Sequence, residues 1–235
     1  MPALDHEPYW PSFLARLEAT VRRLPAHLIR EEDIRAALRD AVLDHHPRHA
    51  DPWSYCPEAD NVDVVLLGDT GHRHLVELKL WHATLKPGLR DGVVRSGSDD
   101  GTESHVVDFA KQLTRSRRDS APTWFVSLTQ GGAHPLARGP RWQRSGEAGP
   151  FLTTRPGPNA VAQSWLAELH GKPQGGVTET RLPAYVTRSR SLDLALPGTP
   201  LSLRLAARAR WGSGGGPEWA CDFDLHAWEV QAMAG

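Results

Sequence analysis

Asn61-Val62-Asp63-Val64-Val65-Leu66-Leu67 and His74-Leu75-Val76-Glu77-Leu78-Lys79-Leu80 are two short apolar runs joined across Gly68-Asp69-Thr70-Gly71. β-Branched runs of this length read as buried strands, and the Gly/Asp/Thr cluster reads as a turn. The pair is expected to form a hairpin with strands over 62–67 and 74–80. Asp63 is early on the first strand and Glu77 late on the second, ends that an antiparallel pair makes neighbours. Lys79 follows Glu77 by two residues and shares its face. The ordinary explanation of a Glu-x-Lys spacing is a solvated pair. A charged pair inside a nearly continuous apolar strand is costly, however, unless it is bound or functional.

Outward from the hairpin, apolar residues recur at helical spacing. Phe13, Leu14, Leu17 and Val21 predict a helix over Ser12–Leu24, closed by Pro25. Ile34, Leu38, Ala41 and Val42 predict a second helix over Arg30–Leu43, and 45–52 reads as loop. Residues 82–104 are rich in Gly, Asp and Ser and read as a loop able to close over a substrate. Val106, Phe109, Ala110 and Leu113 predict a helix over His105–Arg117, followed by a strand over Pro122–Leu128. After a Gly/Pro/Arg-rich connection, Val161, Trp165, Leu166 and Leu169 predict a helix over Asn159–His170. Two strictly alternating segments, 201–211 and 221–228, flank Gly212-Ser213-Gly214-Gly215-Gly216-Pro217 and predict a second hairpin.

With 235 residues, the chain is expected to form a single α/β domain over 1–235, its core at about 12–170 and a β-hairpin extension at about 180–230. Hydrophobic residues at 40% and charged residues at 23% exclude disorder as the default. A formal charge of −1 argues against a sequence-independent nucleic-acid coater, but not against an enzyme holding cations between carboxylates. Two cysteines, Cys56 and Cys221, cannot build a disulfide framework or a four-thiolate zinc site. No apolar run reaches membrane-spanning length and no signal-peptide pattern opens the chain, so a cytoplasmic location is expected.

Two nearby carboxylates can hold a hard divalent cation through oxygen. Such a cation activates water and binds a phosphate, and a lysine beside it adds fixed positive charge. Asp63 followed by Glu77-Leu78-Lys79, with an apolar strand running into each, resembles the PD-(D/E)XK or restriction-endonuclease-like nuclease superfamily. Asn61-Val62 stands where the motif's name has a proline. The resemblance covers roughly Arg30–Leu128. It implies an α/β core with a central mixed sheet flanked by helices, here with a β-rich C-terminal part. It implies a nuclease acting on DNA more readily than RNA, in defence or repair, with Mg²⁺ or Mn²⁺ as cofactor. Asp63, Glu77 and the Leu78 backbone carbonyl would be metal ligands, and Lys79 would orient or activate water. Glu31 shares the inward face of Ile34 and Leu38 and would complete the metal shell, with Glu32 as the alternative. Asp108-Phe109-Ala110-Lys111-Gln112-Leu113 resembles the Gln-Leu helix of several branches, so Lys111 and Gln112 would contact substrate. A homodimer or an accessory defence protein is an expected partner. The rival readings are a non-catalytic nucleic-acid- or protein-binding member of the fold and an unrelated metal-dependent hydrolase.

Other signals carry less. His45, His46, His49, His72 and His74 with Cys56 meet no standard zinc spacing. Asp222, Asp224 and His226 alternate onto one strand face, as a second metal site or any half-exposed strand would. Arg204, Arg208 and Arg210 form a stripe. A turn centred on Gly215 would set Arg208 opposite Asp222 and position 204 opposite 226, largely neutralising it. Arg115, Arg117, Arg118, Arg138, Arg141 and Arg144, with Trp142, are the better candidates for contact with phosphate and base.

Overall fold

The computed structural model describes residues 9–44, 54–57, 63–67, 73–81, 98–119, 123–130, 158–184, 194–215 and 222–233. Among the described residues four α-helices, α1 (Tyr9–Arg23), α2 (Glu31–Asp44), α3 (Ser98–Asp119) and α4 (Pro158–His170), and a short 3-10 helix at Ala26–Leu28 accompany seven strands. These are β1 (Ser54–Pro57), β2 (Val64–Leu67), β3 (Arg73–Trp81), β4 (Thr123–Gln130), β5 (Val177–Arg181), β6 (Pro200–Gly212) and β7 (Asp222–Ala232). All seven join one mixed sheet in the order β1-β2-β3-β4-β7-β6-β5, with β3 and β4 parallel. The architecture is therefore mixed α/β, and the helices cover both faces of the sheet.

Alternation along the strands sorts the core into two layers. Val76, Leu78, Trp124, Val126 and Leu225 pack against Phe13, Leu17, Val21, Ile34 and Leu38 of α1 and α2. Phe125, Trp228, Leu203 and Leu205 pack against Phe109, Leu113, Trp165 and Leu166 of α3 and α4. Phe109 sits edge-on to Phe125, Trp165 and Trp228, with centroids 4.7, 5.2 and 6.4 Å away. Large buried aromatics of this kind each contribute roughly 1.5–3 kcal/mol.

The predicted helices and hairpin are present, with revised ends. α1 starts at Tyr9 rather than Ser12, because Pro11 falls in the first turn, where its missing N–H costs nothing. Asp33 stabilises the start of α2 by accepting the Arg30 backbone N–H at 2.7 Å, half of a capping box. The loop expected over 82–104 is helical from Ser98, and the rest of it lies outside the described residues. Strands β1 and β5 have no counterpart in the periodicity. Both are short edge strands, β1 ending in Pro57 and β5 carrying Glu179 and Arg181, residues that suit a sheet edge.

The β6–β7 register corrects the expected pairing. Gly212 lies opposite Asp222, Arg210 opposite Asp224 and Arg208 opposite His226. A register shift between Leu205 and Ala207 then puts Arg204 opposite Glu229. Neutralisation of the stripe comes instead from Arg210–Asp224 at 2.9 Å and Arg204–Glu229 at 2.8 Å. The turn does not centre on Gly215, because the glycine segment is anchored elsewhere. The Gly214 N–H donates to the carbonyls of Val21 and Leu24, at 3.2 and 2.9 Å, capping the end of α1. A Cβ on Gly214 would lie 2.6 Å from the Arg22 carbonyl oxygen, and Gly215 has φ 97°. Gly214→Ala should therefore cost roughly 1–3 kcal/mol through overpacking against backbone, read as a lower urea midpoint at unchanged slope.

Candidate active site on the exposed edge of β3

β3 is longer than its partner. Val64–Leu67 pairs with Arg73–Val76, so the second half of β3 runs on with no β2 residue beside it. Its N–H groups on that side need other acceptors. Asp63, one residue before β2, accepts the Leu78 N–H on Oδ2 at 2.7 Å. Glu31, in the first turn of α2, accepts the Leu80 N–H on Oε2 at 3.4 Å. Two carboxylates from different elements thus meet the same strand edge. In an antiparallel strand, N–H and C=O of one residue leave on the same side, so the Leu78 carbonyl opens toward Asp63. Glu32 is exposed and turned away, so Glu31 is the glutamate of this pair that reaches the hairpin.

Glu77 and Lys79 point to the opposite face, beneath α3. Glu77 is buried with both oxygens engaged, Oε1 by Lys111 at 3.2 Å and Oε2 by Arg115 at 2.7 Å. Lys111 also reaches Asp108 at 2.7 Å, one turn back on α3. Lys79 pairs with the other Asp108 oxygen at 3.5 Å rather than with its strand neighbour Glu77. Asp108 is 2% exposed, and among the described residues its Oδ2 has no hydrogen bond beyond that ion pair. Arg35 of α2 stands 3.5 Å from Asp63 and 3.8 Å from Glu31. The site is electrically divided. Glu31 and Asp63 outnumber Arg35 at the strand edge, whereas Lys79, Lys111 and Arg115 outnumber Glu77 and Asp108 under α3.

Burial, and then the charges of Glu77 and Glu31, push the Asp63 carboxyl up to about 6 against the lowering effect of the Leu78 N–H and Arg35. Burial also raises Glu31, partly offset by Leu80, Lys79 and Arg35. Burial pulls the Lys111 ammonium down, but Asp108 and Glu77 outweigh it and leave it raised. The Asp63 shift has a stability consequence. Between its ordinary 3.8 and about 6 the folded protein holds more protons than the unfolded chain, so stability falls as pH rises through that window. Above it, ionised Asp63 is a net liability. Asp63→Asn should therefore stabilise the metal-free protein at pH 8, on the order of 1–3 kcal/mol. The gain should shrink as pH falls through 6 and vanish below about 4 in melts run with chelator. A Tm difference independent of pH would contradict it.

Of the residues expected at the site, Asp63, Glu77, Lys79, Glu31 and Lys111 lie around one stretch of β3, from Glu77 to Leu80. Gln112 does not join them. It is fully buried, facing the sheet, and its amide finds no hydrogen-bond partner among the described residues. Contact with a substrate is closed to it in this conformation. Arg115 is not a surface arginine either, being 7% exposed and bound to Glu77. Arg117 is exposed, and Arg118 pairs with Asp119 at 2.7 Å. Arg138, Arg141, Trp142 and Arg144 lie outside the described residues, as do His45, His46, His49 and His72. His74 is a core residue, its Nδ1 hydrogen-bonded to Tyr9 Oη at 3.0 Å beside Trp124. Asp224 is held by Arg210, and buried His226 stacks on His170 with centroids 4.1 Å apart.

Asp108 and Arg35 escaped the sequence reading as site residues, and Arg115, expected to contact phosphate, is instead the buried partner of Glu77. For Asp108 the signal was available: it lies three residues before Lys111, a spacing that makes helix neighbours. Sheet register adds another feature, since Lys79, Ser127, His226 and Arg208 lie side by side on adjacent strands.

Among the described residues no three His, Cys, Asp or Glu side chains form a ready-made metal cage. None of the described helices is long and apolar enough to cross a membrane. No known protein family matches the chain, and no curated protein or solved structure does so.

Proposed function

We propose that the chain is a divalent-metal-dependent nuclease with a restriction-endonuclease-like core, cutting phosphodiester bonds in DNA. The observation that carries this reading is the meeting of Asp63 and Glu31 at the Leu78–Leu80 edge of β3, with Glu77 and Lys79 on the same four residues of strand. The donor set suits a hard cation: Asp63, Glu31, Glu77 and the Leu78 carbonyl offer only oxygen. The raised Asp63 and Glu31 carboxyls supply a second reason, because mutual repulsion and burial are what a bound cation relieves.

Mg²⁺ or Mn²⁺ held there would lower the pKa of a water and neutralise charge on the scissile phosphate. The protein's own groups do the rest. Lys79, 29% exposed in its side chain, stands beside the carboxylates to orient or activate the attacking water and offset charge in the transition state. Lys111, 27% exposed, faces the approaching backbone. Arg115 of α3 fixes Glu77 at 2.7 Å. The division into an anionic edge and a cationic interior matches a cation on one side and a phosphate on the other. A role in defence or repair, in the cytoplasm, and action as a homodimer or with an accessory protein accompany this reading.

A second reading has its own observation. Glu77 is already saturated by Lys111 and Arg115, so the cluster could serve as a structural ion network in a non-catalytic binding module. One assay separates the two. The protein is incubated with single-stranded DNA, duplex DNA and RNA, with Mg²⁺, Mn²⁺ or chelator, alongside Asp63→Ala and Lys79→Ala. Metal-dependent cleavage lost in both variants supports the nuclease. Cleavage surviving both would sink the site assignment, and binding without cleavage would favour the module.

A further inference from the structure

We propose that Asp108 is a positioning residue whose carboxylate gives Lys111 a second anchor, so that Glu77 Oε1 can be released to a metal ion without leaving a loose ammonium in the site. The inference rests on the nuclease reading above and assigns a role to a residue outside the motif.

The geometry is specific. Lys111 bridges two carboxylates, with Asp108 at 2.7 Å and Glu77 at 3.2 Å, so the shorter contact is to the residue that is not a candidate ligand. Glu77 divides its oxygens: Oε2 belongs to Arg115 at 2.7 Å, and among the described residues Oε1 is shared only with Lys111. Releasing Oε1 therefore costs one contact of Lys111 and none of Arg115. Asp108 itself cannot turn outward to the strand edge, being 2% exposed beneath α3 with Lys79 on its other oxygen. A buried carboxylate between two lysines is costly unless both are kept, so it also fixes Lys79 away from Glu77. Without Asp108, Lys111 keeps Glu77 as its ion-pair partner among the described residues, and its ammonium would then compete with the cation for Oε1.

The test is a double-mutant cycle on Mn²⁺ affinity, measured by calorimetry or spin resonance on the full chain without substrate. The proteins are wild type, Asp108→Asn, Lys111→Met and the double variant, each checked by far-ultraviolet circular dichroism. Asp108→Asn should weaken Mn²⁺ binding roughly tenfold, because Lys111 then falls wholly on Glu77. In the Lys111→Met background the same substitution should cost no more than roughly twofold. A loss of equal size in both backgrounds would mean a general charge effect and would overturn the hand-over, as would no loss in either. If Asp108→Asn fails to fold, Lys111→Met alone decides: it must tighten Mn²⁺ binding, and unchanged or weaker binding overturns the proposal. Mn²⁺ binding by wild type without coupling defeats this inference and leaves the nuclease reading standing. No Mn²⁺ binding in any variant defeats both.

Discussion

Lys79→Ala is expected to slow metal-dependent cleavage by on the order of 10²–10³ with the fold intact, the loss typical of removing one donor aimed at developing charge. The side chain is partly exposed and its only ion pair among the described residues is with Asp108 at 3.5 Å, so its removal leaves no cavity in the apolar core. It does leave Asp108 with Lys111 alone, a modest stability cost. The expected signature is a fall in single-turnover rate with little change in affinity for uncut DNA. A rate within about threefold of wild type would remove Lys79 from the mechanism. Asp63→Ala should lower the rate at least as far. Unlike Lys79→Ala, it should also weaken Mn²⁺ binding, because it deletes a proposed ligand. Its Tm at pH 8 should not fall in step with its activity, since ionised Asp63 is a liability to the metal-free fold.

Arg115→Met is expected to have the largest effect on stability, roughly 3–5 kcal/mol, because it leaves Glu77 buried with one oxygen uncompensated. Arg115 is 7% exposed and contacts Glu77 at 2.7 Å, so solvent cannot replace it. The loss should appear as a lower denaturant midpoint. Adding Glu77→Gln should recover much of it, because a neutral amide leaves no orphaned charge. Recovery is the discriminating outcome. If the double variant is no more stable than Arg115→Met, the cost lies in lost packing of the arginine stem and not in the ion pair.

Much of the site was legible because it violates the local rule around it. Glu77 and Lys79 stand out in an apolar strand, and Asp63 stands out at the mouth of its partner. Glu31 was legible by its spacing to Ile34 and Leu38. Lys111 was named from the helix it occupies, and the same helix misled on Gln112. Helical spacing tells which residues share a face, not which face meets the sheet. The rotation of α3 sets Asp108, Lys111 and Arg115 over β3 and turns Gln112 into the interior. Arg115 looked like one of a run of surface arginines because nothing local marks its partner, Glu77, 38 residues earlier.

By itself the sequence determined the β2–β3 hairpin, the four amphipathic helices and the presence of Asp63, Glu77 and Lys79 at that hairpin. These follow from periodicity and turn chemistry, which act over a few residues. The tertiary structure alone decided the sheet order, the β6–β7 register, the edge strands β1 and β5, and the anchoring of Gly214 on α1. It also decided which counter-ions surround the hairpin. Those outcomes depend on contacts between residues far apart in the chain, where local pattern carries no information and packing chooses the partner.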